Sequence, residues 1–239
     1  MTKKTALVVS AHSADFVWRA GGAIALHAAA GWDVTVVCLS YGERGESAKL
    51  WRKPGMTLEK VKSERQVEAE NAARHLGVAD IQFWDLGDYP ITLGRDSLFQ
   101  LADLYRAIRP SWVMTHSRLD PYNADHVAVS AFAQEARIVA QAHGHDPETP
   151  VIGAPQVYLF EPHQPEQCGW KPDVILNITD AWEKKRAAIE CMQGQEHLWE
   201  YYTRVALQRG VQGGRNSGTP MTYGEAYESV FPAVVGILG

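Results

Sequence analysis

The chain has 239 residues, with 23 basic and 28 acidic side chains and a net charge of −5. That length suits one sizeable α/β domain over residues 1–239, and the absence of any cationic run leaves neither nucleic acid nor an anionic membrane surface as an expected partner. No apolar stretch reaches the ~20 residues of a membrane span, and the opening Met1-Thr2-Lys3-Lys4 lacks a signal-peptide pattern, so the cytoplasm is the expected location.

Taken in chain order, residues 6–10 read as a buried strand through Leu7, Val8 and Val9, and residues 16–30 as a helix. A strand over 34–39 precedes a Gly- and charge-rich connection, 41–56, of a length more often functional than idle. A helix over 58–76, a strand over 81–86, a helix over 98–108, a strand over 112–115 and a helix over 127–142 follow. After a second long connection, 143–154, come strands over 157–160 and 174–178 and a helix over 182–192. The closing stretch from Gln195 reads as a helix, a loop holding Arg215, and an apolar tail, 230–238, packed on the body. This alternation predicts a Rossmann-like, mostly parallel sheet with helices on both faces. Cys38, Cys168 and Cys191 are odd in number and widely spaced, which fits neither a disulfide framework nor a thiolate zinc cluster. Gly21-Gly22 lacks the G-x-G-x-x-G spacing of a dinucleotide site and is better explained by close helix-to-sheet packing. His27 and His75 fall on helices and read as structural.

The strand over 6–10 ends in Ala11-His12-Ser13-Ala14-Asp15, which places His12 and Asp15 at the carboxyl edge of the sheet, where open α/β folds bind ligands. On spacing alone a capping or packing histidine is the commoner explanation of His12. A second turn, Asp120-Pro121-Tyr122-Asn123-Ala124-Asp125-His126, follows the strand over 112–115 and adds His126 at the same edge. Three protein ligands and one water form the usual catalytic zinc arrangement. His116, just past that strand, is a further candidate to support a metal and stays unassigned.

These two turns resemble the paired motifs A-H-P-D-D-E and H-P-D-H of the PIG-L/LmbE family of zinc-dependent deacetylases. The likeness extends to Glu64-Arg65-Gln66-Val67-Glu68, Leu76-Gly77-Val78, Lys185 and Tyr223-Gly224-Glu225-Ala226-Tyr227, and so spans nearly the whole chain. It implies one zinc per chain on His12, Asp15 and His126, a site bordered by the Glu225 motif, and a homo-oligomer, often a hexamer in this family. Two positions depart from the pattern. Ala14 stands where the family's general base would be, and Asn123 replaces the first histidine of the second motif. General acid–base assistance contributes on the order of a hundred to ten thousand fold, so an amide hydrolase lacking both groups would be badly impaired. Metal ligands kept without that base resemble instead a hydratase branch of the family. Such an enzyme adds water to a carbon–carbon double bond of an unsaturated polycarboxylate from aromatic ring cleavage.

A hydratase needs proton-transfer groups beyond the metal. Glu46, in Gly42-Glu43-Arg44-Gly45-Glu46-Ser47 after the second strand, and His163, between Pro162 and Pro165, are the two candidates. Each can equally be an ordinary loop residue. A polycarboxylate substrate also calls for arginines, whose planar fork pairs a carboxylate through two hydrogen bonds. Arg44 and Arg215 are the loop candidates, with Asn123 as a further substrate contact. Arg118 reads more simply as a surface ion pair. Two other functions remain open: an N-deacetylase of an N-acetyl sugar with a relocated base, and a metal-binding sensor of a small acid.

Overall fold

The computed structural model of the chain describes residues 3–234. Strand β1 (Thr5–Ser10) lies between β2 (Asp33–Cys38) and β4 (Trp112–Thr115), and all three run parallel. Apolar side chains continue along β1 without polar alternation, as a strand covered on both faces requires. Its successive residues serve two different cores: Ala6 and Val8 pack into one, Leu7 and Val9 into the other.

The parallel set is completed by β3 (Asp80–Phe83) beyond β2 and β5 (Gln156–Phe160) beyond β4. Beyond β5 stand β7 (Gly224–Ser229) and, at the edge, β6 (Val174–Asn177). The full order is β3-β2-β1-β4-β5-β7-β6, with β7 antiparallel to both neighbours. One core includes residues of α1 (Asp15–Ala29), α3 (Leu58–Leu76) and α6 (Trp182–Cys191). The other lies under α4 (Arg95–Ile108) and α5 (Ala124–Gln141). The expected mostly parallel α/β sheet with helices on both faces is therefore the observed architecture.

Three elements differ from expectation. The Tyr223-Gly224-Glu225-Ala226-Tyr227 motif, for which the sequence suggested no element, enters strand β7, whose ladder joins β5 to β6. The long connection after β2 contains a one-turn helix, α2 (Ala48–Trp51). Arg215 is in the last turn of helix α7 (Trp199–Ser217) rather than in a loop. A Cβ at Gly213 would stand 2.4 Å from the Met221 sulfur, so a small residue there lets the helix pack closely. Of the apolar tail, Val230 and Phe231 pack against the core, Val234 is exposed, and residues 235–238 lie outside the described residues.

Close packing also explains Gly22, where a Cβ would meet Ile178 at 2.6 Å. Among the described residues, no helix is long and apolar enough to cross a membrane.

Candidate functional site

Strand order reverses between β1 and β4, where the chain leaves the sheet in opposite directions and opens a crevice at the carboxyl edge. The β1 turn carries His12 and delivers Asp15 as the first residue of α1, with Ala14 as its N-cap. The β4 turn delivers His126 in the first turn of α5. Asn123 caps that helix, its side-chain oxygen accepting from the backbone N–H of Asp125 at 3.1 Å and of His126 at 3.4 Å.

These turns gather His12, Asp15 and His126, and the loop after β2 adds Glu46. His12 Nδ1 lies 3.3 Å from His126 Nε2, 3.2 Å from Asp15 Oδ2 and 3.2 Å from Glu46 Oε1. His126 Nε2 lies 3.3 Å from Asp15 Oδ1 and 3.8 Å from Glu46 Oε1. Each residue offers one donor and these donors lie within 4.8 Å of one another, with Asp15 meeting the two histidines through different oxygens, so this donor chemistry suits a divalent metal. Charge points the same way. Burial opposes a proton on His12, yet the surrounding Glu46, Asp125 and Asp15 carboxylates outweigh it and raise its pKa well above the ordinary value. The cluster favours a positive charge at its centre.

Each histidine is oriented from behind by a carboxylate. Asp120 Oδ2 lies 2.8 Å from His126 Nδ1, and Asp125 Oδ2 lies 3.3 Å from His12 Nε2. Such outer carboxylates fix the ring that faces a metal and raise its basicity. Asp125 is itself held by the backbone N–H groups of Tyr89 and Ile91, at 2.9 and 3.0 Å. Against its partial burial, these bonds and His12 lower it to about 2. His116 stacks on His126 with ring centres 4.1 Å apart and accepts the Ala11 N–H at 2.9 Å. It is a neutral wall: burial and the neighbouring His126 push it down to about 3.

The Glu46 loop is built rather than loose. Asp88 accepts from the backbone N–H of Arg44 and Gly45, both at distances down to 2.9 and 2.8 Å, and the Ser47 hydroxyl donates to the Gly42 carbonyl. Gly42 has φ +69°, and a Cβ there would stand 3.2 Å from His12 Cβ, so glycine is needed for both conformation and proximity. Glu46 then receives the Asn123 amide at 3.3 Å on Oε1 and the Gln195 amide at 3.4 Å on Oε2. Arg65 anchors Gln195 at 2.8 Å and Glu68 at 2.7 Å. Burial would raise Glu46, but His12 beside it prevails and keeps it below the usual carboxylate range.

Tyr89, which the sequence does not flag, closes this side. Its hydroxyl accepts from the Asn123 amide at 2.9 Å, and its ring centre is 5.9 Å from that of His12.

His163 sits in the loop after β5, outside the donor cluster, its ring 4.7 Å from Tyr201 and 5.7 Å from Tyr122. Burial and the charge of Arg19 hold it below its ordinary pKa. Arg19, on α1, donates to Tyr202 at 3.0 Å and to Asp15 at 3.4 Å. Two of the expected arginines are not brought to the cluster. The half-exposed Arg44 guanidinium lies beside Glu43. Arg215 is exposed and 13 positions along α7 from Tyr202, about 20 Å along the axis. Arg118 pairs with Glu228 on the surface.

Helix α1 is held in place by a buried group behind the site. Glu225 accepts the backbone N–H of Gly22 at 2.7 Å and of Ala23 at 2.8 Å, while Lys185 donates to the Trp18 carbonyl at 3.0 Å and Tyr227 to the Arg19 carbonyl at 3.2 Å. Lys185 and Glu225 pair at 2.6 Å. Glu225 thus braces the helix that carries Asp15 and Arg19; it does not touch the metal-ligand set.

The family model of GlcNAc-PI de-N-acetylase, PIG-L, matches residues 7–137. A curated relative, the 4-oxalmesaconate hydratase of Pseudomonas putida KT2440, is 62% identical over 97% of this chain and 91% of its own length. The crystal structure of GalB, the 4-carboxy-2-hydroxymuconate hydratase from the same organism, superposes with a TM-score of 0.96 at 61% identity, covering 99% of this chain and 100% of that one. The N,N'-diacetylchitobiose deacetylase of Pyrococcus horikoshii shares the fold at a TM-score of 0.80 and 24% identity, over 96% of this chain and 84% of its own.

Proposed function

We propose that this chain, which belongs to the PIG-L family, is a zinc-dependent hydratase that adds water across a carbon–carbon double bond of 4-carboxy-2-hydroxymuconate, the enol tautomer of 4-oxalmesaconate. The observation that carries the reading is the full-length similarity to the two hydratases, joined to a site in which Ala14 leaves no deacetylase base and Glu46 supplies a carboxylate from another loop. His12, Asp15 and His126 are the proposed zinc ligands, with the Glu46 carboxylate at the fourth edge of the set. When bound, zinc acts as a Lewis acid on an oxygen and lowers the pKa of a water it holds.

The protein's own groups move the protons. His163 starts neutral, takes the proton of the substrate's enol hydroxyl and returns it to a chain carbon, leaving a conjugated ketone. Glu46 takes one proton from water as the water oxygen bonds to the alkene carbon, and returns it to the neighbouring carbon. One water is consumed and no redox change occurs. Asn123 holds Glu46, Tyr89 accepts from the same Asn123 amide, both border the substrate, and Asp120 and Asp125 keep both histidine rings aimed inward. A homo-oligomer is part of the proposal, as the family resemblance implies.

The test is loss of the conjugated-diene absorbance of 4-carboxy-2-hydroxymuconate on mixing with zinc-loaded protein. Glu46→Gln is expected to keep the metal and lose turnover. Turnover unaffected by that substitution would remove Glu46 from the mechanism.

A further inference from the structure

Arg19 lies one helical turn beyond Asp15, on the same face of α1 and next to the proposed metal ligands. Its side chain is 5% exposed. Nη1 serves both Asp15 and Tyr202. Nη2 stands 3.9 Å from Asp120 Oδ2, and Asp120 already accepts from His126 and from the Tyr122 N–H. Among the described residues, neither Nε nor Nη2 has a hydrogen-bond partner. These two N–H groups point in parallel from one edge of the guanidinium, the edge that grips a carboxylate side-on through two bonds. Neither atom is among the buried side-chain atoms left without a partner, so this donor edge is open to solvent, where a ligand's carboxylate can reach it.

Charge requires the same thing. Asp15, Glu46, Asp120 and Asp125 place four carboxylates around the ligand set, against Arg19 and a divalent ion. A trianionic substrate would be repelled from that setting without a fixed cation at its binding position. Arg44 and Arg215 are at the surface, and the Arg65 guanidinium is occupied by Glu68 and Gln195.

We propose that Arg19 binds one carboxylate of the substrate through its Nε/Nη2 edge and so sets the preference for a tricarboxylate over a less charged alkene. The proposal rests on the hydratase reading for the substrate's identity, but not for the chemistry of the fork. Lysine at this position keeps the charge and loses the two-bond geometry.

The experiment uses the zinc-loaded wild type with Arg19→Lys and Arg19→Met, each checked for fold and zinc content. Binding of propane-1,2,3-tricarboxylate is measured by calorimetry. Turnover of 4-carboxy-2-hydroxymuconate is compared with that of 2-hydroxymuconate, which lacks the carboxylate at position 4. Arg19→Met is expected to weaken binding of the tricarboxylate about ten- to a hundredfold and to reduce the preference between the two substrates, with the loss mainly in KM. Arg19→Lys should recover part of the affinity. Unchanged tricarboxylate affinity in a folded, zinc-loaded variant would overturn the proposal, as would equal losses for both substrates. If Arg19→Met does not fold, Arg19→Lys decides, since unchanged affinity there removes the fork. A wild type that binds the tricarboxylate through Arg19 yet turns over neither alkene would overturn the hydratase reading and leave the anion site standing.

Discussion

Glu46 Oε1 stands 3.2 Å from His12 Nδ1, although 34 positions separate the two residues in the chain. The contact turns a three-ligand turn-and-helix motif into a four-sided donor set, and it places a carboxylate where the neighbouring Ala14 offers none. A carboxylate therefore reaches the cluster from the loop after β2.

Removing that carboxylate should separate chemistry from metal binding. Glu46→Gln keeps the shape of the side chain, with one oxygen left to accept from the Asn123 and Gln195 amides, and leaves the proposed ligands His12, Asp15 and His126 in place. The expected result is a fall in kcat of roughly a hundred to ten thousand fold with zinc content retained. Elemental analysis beside steady-state kinetics gives both numbers, and joint loss of zinc and activity would recast Glu46 as an essential ligand.

Asp120→Asn acts one step further out. The 2.8 Å contact with His126 Nδ1 would weaken, leaving a ring of less fixed orientation and lower basicity. Zinc affinity should drop about ten- to a hundredfold, measured by competition with a chelator of known strength. In the wild type, chelation should abolish turnover and added zinc should restore it.

The pH profile follows from His163. Burial and Arg19 favour its neutral form, so its pKa lies below 6.5. A neutral proton acceptor works above its pKa and fails below it. The wild-type kcat/KM should therefore stay flat through neutrality and fall on the acid side at a pH below 6.5, in the field of Arg19, Asp120, Glu166 and His126. His163→Gln should lower the plateau and remove that limb, whereas a limb that persists would assign it to another group.

The brace behind the site is a stability prediction. Lys185→Met leaves Glu225 buried without its cation, which costs about 3–5 kcal/mol, or roughly 6–20 °C in Tm for a chain of this size. Combining Lys185→Met with Glu225→Leu removes both charges and should recover part of the loss by thermal melting. Additive losses would show that the two residues stabilise the fold independently.

Much of the sheet could be read from the chain because its parallel strands are short apolar runs bounded by polar turns. The gathering of His12, Asp15 and His126 was legible for a related reason: both turns follow such strands. Strand β7 was hidden because Glu225 and Glu228 look like solvent residues, and the partners that make Glu225 a buried residue include Lys185, 40 positions away, and the Gly22 and Ala23 N–H groups, over 200 positions away. Arg19 was missed on the same grounds, since its Tyr202 partner lies 183 positions downstream. The loop expected around Arg215 is helical, and Gly213 there serves close packing against Met221. Tyr89 reaches the site from a loop with no sequence periodicity, and only the Asn123 amide shows where its hydroxyl points.

The most direct measurement is the diene absorbance of 4-carboxy-2-hydroxymuconate after mixing with zinc-loaded protein in ¹⁸O-labelled water. The account predicts a rapid, chelator-sensitive loss of absorbance and one labelled oxygen in the product. Unchanged absorbance from a protein that holds its zinc and releases acetate from an N-acetyl sugar would contradict it.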